Sequence, residues 1–339
     1  MKATVAAVAG APLVEVQDLS KTFDVSAPWL NRVVERKPRQ FVHAVDGVSF
    51  TIERGKTLAL VGESGCGKST VARLLVGLYG PTRGTVRFDG HETHRVQDAL
   101  QLRAMRRRMQ MIFQDPYASL NPRWKVLDIV GEPLREHGLV TEEGAFKDKV
   151  AELLMSVGLA AADVEKFPHQ FSGGQRQRIS IARALATQPE FLVCDEPTSA
   201  LDVSVQAQVL NIMKDLQRAR GLTYLFISHN LAVVRHVADQ VGVMYLGRLV
   251  ELADKADLFA RPRHPYTRML LDAIPDIHMS GRARTPVQGE VPNPLNPPSG
   301  CAFHPRCPHA NARCGQERPA LKSFNGIQVA CHAVEEGRL

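Results

Sequence analysis

The chain has 339 residues, of which 44% are hydrophobic, and a formal net charge of +7. Its apolar runs are shorter than the ~18 residues of a membrane-spanning helix, so we expect a globular protein with one large domain plus an extension, or two domains. The excess of basic residues is compatible with binding to nucleic acid or to an anionic membrane surface.

The first part of the chain predicts an antiparallel β region. The first twelve residues are rich in Ala and Gly and lead directly into a strand, so we expect a cytoplasmic protein without an export signal. Alternating apolar and polar residues predict strands at 13–16, 41–45 and 48–52. Between them, residues 24–40 are polar and basic and are predicted to form an exposed loop. Phe23 is either an aromatic that stacks on an adenine ring or a core residue, and the pattern supports both equally.

A glycine-rich segment then matches the pattern G-x-x-x-x-G-K-[ST] between a predicted buried strand, 57–61, and a predicted helix, 71–76. Glycines let backbone N–H groups point at phosphate oxygens, and the helix N-terminus adds positive potential. Lys68 is predicted to reach the β- and γ-phosphates, and the Ser69 hydroxyl to bind Mg²⁺. The predicted nucleotide site comprises Gly62, Glu63, Ser64, Gly65, Cys66, Gly67, Lys68, Ser69 and Thr70.

Residues 84–178 predict a hairpin strand, a basic helix, a short buried strand and a helical insertion at 115–178. The basic run at 103–109 is interpreted as a solvated helix face. Gln114 follows the buried strand at 109–113, and ligands of parallel sheets bind at this end of a strand.

A second anion site is predicted where Ser and two Gly begin a helix, because such a start presents bare N–H groups and a hydroxyl. It comprises Phe171, Ser172, Gly173, Gly174 and Gln175. One chain has no evident use for two γ-phosphate sites about a hundred residues apart. We therefore expect this site to contact a nucleotide held by another subunit.

Two carboxylates end the next predicted buried strand, 191–196. Asp195 is predicted to hold Mg²⁺ and Glu196 to polarise the attacking water. Asp202 follows closely enough to reach a facing subunit. His229 ends the strand at 222–228, and we predict that it contacts the γ-phosphate.

Four cysteines occur near the C-terminus, after a proline-rich stretch: Cys301, Cys307, Cys314 and Cys331. In a cytoplasmic protein such clustering indicates a metal site rather than disulfides. The gaps are wider than the paired spacing of zinc ribbons, which favours a [4Fe–4S] cluster over Zn²⁺, with four free thiols as a further alternative. Residues 285–339 are poor in apolar residues and are expected to need such a cross-link to fold.

Taken in order, these motifs resemble the nucleotide-binding subunit of an ABC transporter over about residues 13–260. The resemblance implies an α/β P-loop NTPase with a RecA-like core, an antiparallel β subdomain, a helical subdomain and a small cysteine-containing extension. It implies a nucleotide-binding domain at 11–260, with its helical subdomain at about 115–178, and an extension at 261–339. Phe171 stands where Leu is commoner in the family, and Phe23 where Tyr is common. The family motifs are Walker A at 62–69, the Q-loop at Gln114, the signature at 171–175, Walker B ending at Asp195 and Glu196, the D-loop at 199–202 and the switch histidine at His229.

The cysteine-containing tail and residues 114–122 are similar to those of dipeptide and oligopeptide permease ATPases, in particular the second, F-type subunit. The resemblance implies a peptide importer in which this chain forms an ATP sandwich with a D-type ATPase. It also implies two transmembrane permeases, an extracytoplasmic peptide-binding protein, a position at the cytoplasmic face of the cell membrane and a [4Fe–4S] cluster in the tail.

Two other functions are alternatives. A soluble ABC ATPase acting on nucleic acid or ribosomes usually has two cassettes or a coiled coil, whereas this chain has one cassette and no sustained heptads, so we expect no nucleic acid. A small-molecule kinase would have no use for the Ser-Gly-Gly-Gln segment. The transported cargo stays open, and nickel and glutathione are alternatives to peptides.

Overall fold

The computed structural model describes residues 11–35, 38–273 and 289–339. The expectation of no export signal rests mainly on residues 1–10, which lie outside these ranges. No helix in the described ranges is long and apolar enough to cross a membrane. The chain divides into two compact units, one containing 11–14, 51–57 and 87–228, the other containing 15–35, 38–50, 58–86, 229–273 and 289–339.

The strands of the described residues are β1 (Pro12–Asp24), β2 (Phe41–Glu53), β3 (Thr57–Val61), β4 (Arg83–Phe88), β5 (His91–Glu92), β6 (Met109–Ile112), β7 (Phe191–Asp195), β8 (Thr223–Ile227), β9 (Gln240–Tyr245), β10 (Arg248–Asp254), β11 (Lys322–Phe324) and β12 (Ile327–Val329). The helices are α1 (Trp29–Glu35), α2 (Lys68–Leu75), α3 (Ala99–Arg108), α4 (Pro116–Ser119), α5 (Val126–Glu136), α6 (Glu143–Ser156), α7 (Gly173–Leu185), α8 (Val203–Arg220), α9 (Leu231–Val237), α10 (Lys255–Ala260), α11 (Pro265–Asp272), α12 (Ala312–Gln316) and α13 (His332–Glu335). Short 3₁₀ turns occur at Ala161–Glu165, Pro168–Gln170 and His304–Arg306.

The first unit contains three parallel strands, β6, β7 and β8. Met109 pairs with Phe191, and Phe191 pairs with Thr223. All residues of β7 and β8 are buried, as expected for parallel strands covered on both faces. Their carboxyl ends therefore share one edge, as the sequence predicted. Helices α4, α5 and α6 follow β6, which confirms the predicted helical character of this segment.

The second unit contains the strand order β11-β12-β10-β9-β3. Strand β3 is parallel to β9, whereas β9, β10, β12 and β11 pair antiparallel. The hairpin β11–β12 turns through Asn325 and Gly326, both with positive φ, which is the geometry favoured by an Asn-Gly turn. No strands were predicted in this tail, because each strand is only three residues long.

The C-terminal tail also contributes to the apolar core of the second unit. Phe303 and Ile327 are buried in one cluster with Val61, Tyr245 and Tyr266. The described part of residues 285–339 therefore has apolar packing of its own, and the expected need for a cross-link stays a prediction.

Two local expectations were wrong, and a third, the solvated face at 103–109, holds at Arg103 and Arg106 but not at Arg108. Strand β2 runs unbroken through 41–53, because Gly47 adopts a φ of 70° without ending the strand. Residues 24–40 contain the helix α1 rather than only a loop. Arg108 is not simply solvated, because its guanidinium donates to Glu190 and Asp89 and lies 4.9 Å from the centre of the Phe88 ring.

Candidate functional site

The phosphate loop in the second unit has a backbone that only glycine accommodates at two positions. Gly62 and Gly67 have φ values of 150° and 102°. A Cβ atom at Gly62 would lie 2.2 Å from the Met244 carbonyl oxygen, and one at Gly67 would lie 2.1 Å from that of Ala44. The loop therefore packs closely on neighbouring backbone as it curls from β3 into α2.

Lys68 begins α2, and its side chain is folded into the loop. The residue is 5% exposed, and its Nζ donates to the carbonyl oxygens of Gly62 and Glu63 at 2.8 and 3.0 Å. The Cys66 Sγ lies 3.7 Å from the same nitrogen. Burial raises the pKa of the Cys66 thiol, which keeps this neighbour uncharged. The Lys68 side chain, the curled loop and the N-terminus of α2 thus form one cradle, and Ser69 and Thr70 lie in the first turn of that helix.

Two residues near the loop were missed by sequence reasoning. The Tyr266 hydroxyl accepts a hydrogen bond of 2.9 Å from the Glu63 N–H. The Arg306 guanidinium donates two hydrogen bonds, of 2.8 and 2.9 Å, to the Glu63 carboxylate. Both residues belong to the C-terminal part of the chain, and no local motif marks them.

Phe23, predicted as an adenine platform or a core residue, is half-buried at the end of β1. Its ring lies edge-on to the Tyr79 ring at 5.5 Å between centroids, and Lys21 Nζ lies 5.3 Å from its centre. Partial exposure of an aromatic ring suits a stacking surface better than a core position.

The first unit brings together Gln114, Asp195 and Glu196 at the carboxyl ends of β6 and β7. Gln114 Nε2 donates to Glu196 Oε2 at 3.2 Å. Asp195 ends β7 and is 2% exposed. Glu196 has a φ of 46°, and its N–H donates to the Ile227 carbonyl, so a strained backbone aims this carboxylate. His229 belongs to the second unit and is exposed, two residues after β8.

The Ser-Gly-Gly segment forms the N-terminus of α7, as predicted. Ser172 Oγ accepts from the Gln175 N–H, and Gln175 Oε1 accepts from the Ser172 N–H, which makes a capping box. A Cβ atom at Gly174 would lie 2.2 Å from Val205 Cγ1 of α8. Phe171 is buried before this turn, whereas Asp202 occupies the N-cap of α8 and is exposed.

The four C-terminal cysteines are close enough for the charge of one sulfur to affect the pKa of another. Burial raises the pKa of Cys301 to about 11, the Phe303 N–H lowers it, and negative charge on Cys307, Cys314 or Cys331 raises it further. Burial likewise raises the pKa of Cys307 and Cys331, and backbone N–H groups lower it. No group of three or more His, Cys, Asp or Glu in the described ranges is arranged to hold a metal ion.

Two family models match parts of this chain. A family model described as "ABC transporter" matches residues 45–199, and one described as "Oligopeptide/dipeptide transporter, C-terminal region" matches residues 250–314. The di/tripeptide transport ATP-binding protein DppF of Pseudomonas aeruginosa is 51% identical over 321 residues, or 94% of this chain and 97% of that protein. The dipeptide transport ATP-binding protein DppF of Escherichia coli is 48% identical over 326 residues, or 96% of this chain and 95% of that protein.

Among solved structures, the dimeric ATP-binding cassette MJ0796, in a post-hydrolysis state with ADP and phosphate, has a TM-score of 0.62 and 27% identity. The similarity covers 71% of this chain and 98% of that one. This structure shares the mixed α/β cassette fold that the sequence predicted.

Proposed function

Because the chain belongs to the family of ATP-binding subunits of dipeptide and oligopeptide ABC transporters, we propose that it hydrolyses Mg-ATP to drive import of short peptides. One observation carries this proposal: a single chain combines a preformed phosphate cradle around Lys68 with a C-terminal region typical of peptide transporters.

Each motif residue has a proposed role in hydrolysis. Lys68 and the N–H groups of its loop neutralise phosphate charge, while Phe23 stacks on the adenine. Ser69, Gln114 and Asp195 are the proposed Mg²⁺ ligands. Glu196 accepts a proton from the attacking water, a role that suits a carboxylate oriented by its backbone and by the Gln114 amide. His229 contacts the γ-phosphate.

The second anion site is proposed to complete the site of another ATPase subunit, of the D type. Under this assignment, the nucleotide bound to the facing subunit is contacted by Ser172, Gly174, Gln175 and Asp202. The dimeric state of the similar cassette MJ0796 supports it. Two permeases and an extracytoplasmic peptide-binding protein complete the proposed importer, with this chain on the cytoplasmic face of the membrane.

The proposed domains are a nucleotide-binding domain at 11–260, with a helical subdomain at 115–178, and an extension at 261–339.

We propose further that the four cysteines hold a [4Fe–4S] cluster with a structural role. The proposal rests on the clustering of the four cysteines between residues 301 and 331, since the described side chains are not arranged as a metal site. Anaerobic purification is expected to give a brown protein that absorbs near ~400 nm and contains about four irons per chain. Cys314→Ser should lose this colour, and Cys194→Ser, which changes a buried cysteine elsewhere, should keep it. Stoichiometric zinc, or no metal, would overturn the assignment.

Reconstitution tests the transport function. The chain, co-expressed with its permease and ATPase partners and placed in liposomes, should accumulate a labelled dipeptide only with ATP and binding protein. Lys68→Ala should abolish accumulation. Uptake of nickel or glutathione without peptide uptake would assign a different cargo, and co-purification with nucleic acid or ribosomes instead of permeases would reject the importer.

A further inference from the structure

Glu63, the second residue of the phosphate loop, is held at three separate points. Its N–H donates to the Tyr266 hydroxyl at 2.9 Å, and its carbonyl oxygen accepts from Lys68 Nζ at 3.0 Å. Its carboxylate accepts both ends of the Arg306 guanidinium at 2.8 and 2.9 Å. Two of these three contacts come from the C-terminal part of the chain, outside the nucleotide-binding motifs.

Arg306 is built into the protein interior. Its side chain is 2% exposed, and its guanidinium lies 5.9 Å from the ring centres of both Tyr245 and Phe303. A buried guanidinium requires a charged and hydrogen-bonded partner, and Glu63 provides one with the paired geometry that fixes orientation as well as distance. The Tyr245 hydroxyl accepts a further hydrogen bond from Arg306 at 3.3 Å.

Tyr266 and Arg306 belong to the same rigid cluster. The Tyr245 ring lies 4.7 Å from that of Tyr266 and 5.3 Å from that of Phe303. The Tyr266 and Phe303 rings are 5.4 Å apart. Because packed rings with edge-on contacts resist displacement, the Tyr266 hydroxyl and the Arg306 guanidinium are held in fixed positions relative to each other.

These contacts are independent of the lysine that is proposed to bind phosphate. An ammonium group has three N–H donors, and those of Lys68 are directed at Gly62, Glu63 and the Cys66 sulfur. A phosphate oxygen must replace at least one of these partners. The contacts from Tyr266 and Arg306 do not use Lys68, so they keep the loop ordered when the lysine turns to phosphate.

We infer that Arg306 and Tyr266 are positioning residues of the phosphate loop, through which the C-terminal extension sets the affinity for ATP. This inference rests on the proposed ATPase function. Its physical basis is preorganisation: a loop already fixed in its binding conformation loses less conformational entropy when the nucleotide binds. The extension therefore acts on ATP binding, although neither residue touches the reacting atoms.

Binding of the fluorescent analogue mant-ATP, with Mg²⁺, to the full chain tests the inference. Tyr266→Phe removes one hydroxyl and keeps the ring, and it should weaken binding about three- to tenfold. Tyr224→Phe is the matched control, because the buried Tyr224 hydroxyl donates to the Met213 carbonyl in the other unit. This control should bind within twofold of the original chain.

Arg306→Lys tests the guanidinium contact, because lysine keeps the charge but cannot donate to both carboxylate oxygens in a fixed plane. Binding should weaken about tenfold or more, whereas Arg313→Lys, at a more exposed ion pair in the same tail, should have no effect. In the assembled transporter the KM for ATP should rise while kcat stays within twofold. The double variant Glu63→Gln/Arg306→Lys should bind no more weakly than Arg306→Lys alone.

The outcomes separate this inference from the proposed function. If the unaltered chain does not bind mant-ATP, the proposed function fails. If it binds, and Tyr266→Phe and Arg306→Lys keep their thermal unfolding temperature and bind equally well, the positioning role is wrong. If Arg306→Lys does not fold, the comparison of Tyr266→Phe with Tyr224→Phe decides the question.

Discussion

At the residue scale, the proposed chemistry depends on how single side chains are held. Glu196 leaves β7 with a left-handed backbone, and its carboxylate accepts from the Gln114 amide at 3.2 Å. A non-glycine residue in this conformation costs free energy, which persists only when surrounding contacts enforce it. Glu196 is therefore fixed in direction before a water molecule reaches it.

We expect Glu196→Gln to abolish steady-state hydrolysis while ATP binding remains. The amide keeps the shape and the position but cannot accept a proton, and loss of such a group typically lowers the rate by ~10²–10⁴. Phosphate release by the assembled transporter measures the first effect, and mant-ATP binding measures the second. Glu152→Gln, at an exposed ion pair, is the control. Turnover of Glu196→Gln within a few-fold of the original protein would contradict the assignment.

His264 gives the fold a predictable response to acid. Complete burial lowers the pKa of its ring to about 3, and its Nδ1 accepts from the Tyr266 N–H as the cap of α11. The unfolded ring binds a proton below about pH 6.5, whereas the folded ring stays neutral until about pH 3. Between these values the unfolded state binds more protons, so the free energy of unfolding falls as the pH falls.

From pH 7 to 5.5 this one ring should lower the free energy of unfolding by about 1 kcal/mol. His264→Asn keeps a cap acceptor but does not titrate, so its urea unfolding should depend less on pH by that amount. Burial raises the pKa of nearby Glu251, so this residue changes the free energy of unfolding with pH in the opposite direction. Its contribution is present in both the original chain and His264→Asn, and it largely cancels when the two are compared. Equal pH dependence of the two proteins would show that His264 is not the titrating group.

At the element scale, Gly174 sets how closely α7 approaches α8. A Cβ atom there would lie 2.2 Å from Val205 Cγ1, and a β-branched valine has little freedom to turn away. At neighbouring Gly173 the nearest atom, of Leu201, would be 3.6 Å from a Cβ, which is ordinary contact. Two adjacent glycines of one motif thus have different structural requirements.

Gly174→Ala should lower the free energy of unfolding by about 1–3 kcal/mol through overpacking. Gly173→Ala should change it by less than ~1 kcal/mol, because the added methyl group fits and alanine favours a helix. Thermal unfolding of the two variants provides the comparison. Equal destabilisation by both would mean that helix packing does not explain the glycine at 174.

The short helix α4, in the segment after Gln114, contacts both ends of α7. The Arg176 guanidinium lies 4.1 Å from the centre of the Tyr117 ring, and Arg183 donates to the Ser119 carbonyl at 3.1 Å. Tyr117 is nevertheless 60% exposed. An exposed aromatic residue that is tied to a motif helix is suited to contact a partner and transmit its movement.

We therefore expect residues 115–125 to grip a cytoplasmic helix of the permease. Tyr117→Cys should cross-link to cysteines introduced in permease cytoplasmic loops, and the yield should differ between nucleotide states. Met155→Cys, an exposed position on α6, reports background reactivity. Absence of cross-links from Tyr117→Cys at several loop positions, with and without nucleotide, would contradict this contact.

At the scale of the whole molecule, the chain contains two sets of motifs, and each set is expected to contact a different ATP molecule. The cradle around Lys68 is proposed to bind this subunit's ATP, and the start of α7 that of the partner. Isolated chains should therefore hydrolyse ATP at least tenfold more slowly per subunit than the complete transporter. Ser172→Ala should reduce turnover of the complete transporter without changing mant-ATP binding to the isolated chain. Equal turnover by isolated chains and transporter would refute the shared site.

The sequence by itself determined the features that consecutive residues specify. The phosphate loop, the helix that begins at the Ser-Gly-Gly segment, and the buried parallel strands follow from local spacing, glycine conformation and continuous apolar runs. Family resemblance then identified the ATP-binding subunit of a peptide transporter. Short strands such as β11 and β12 escaped prediction because three residues do not establish a period.

Only the tertiary structure decided which distant side chains support the site. Arg306 is 243 residues from Glu63 in sequence, and Tyr266 is 203 residues from it. Neither position has a local pattern, since a guanidinium or a phenol serves equally well on a surface. Their role arises because the packing of β9, α11 and the C-terminal tail buries them together, and a buried charge must find a partner.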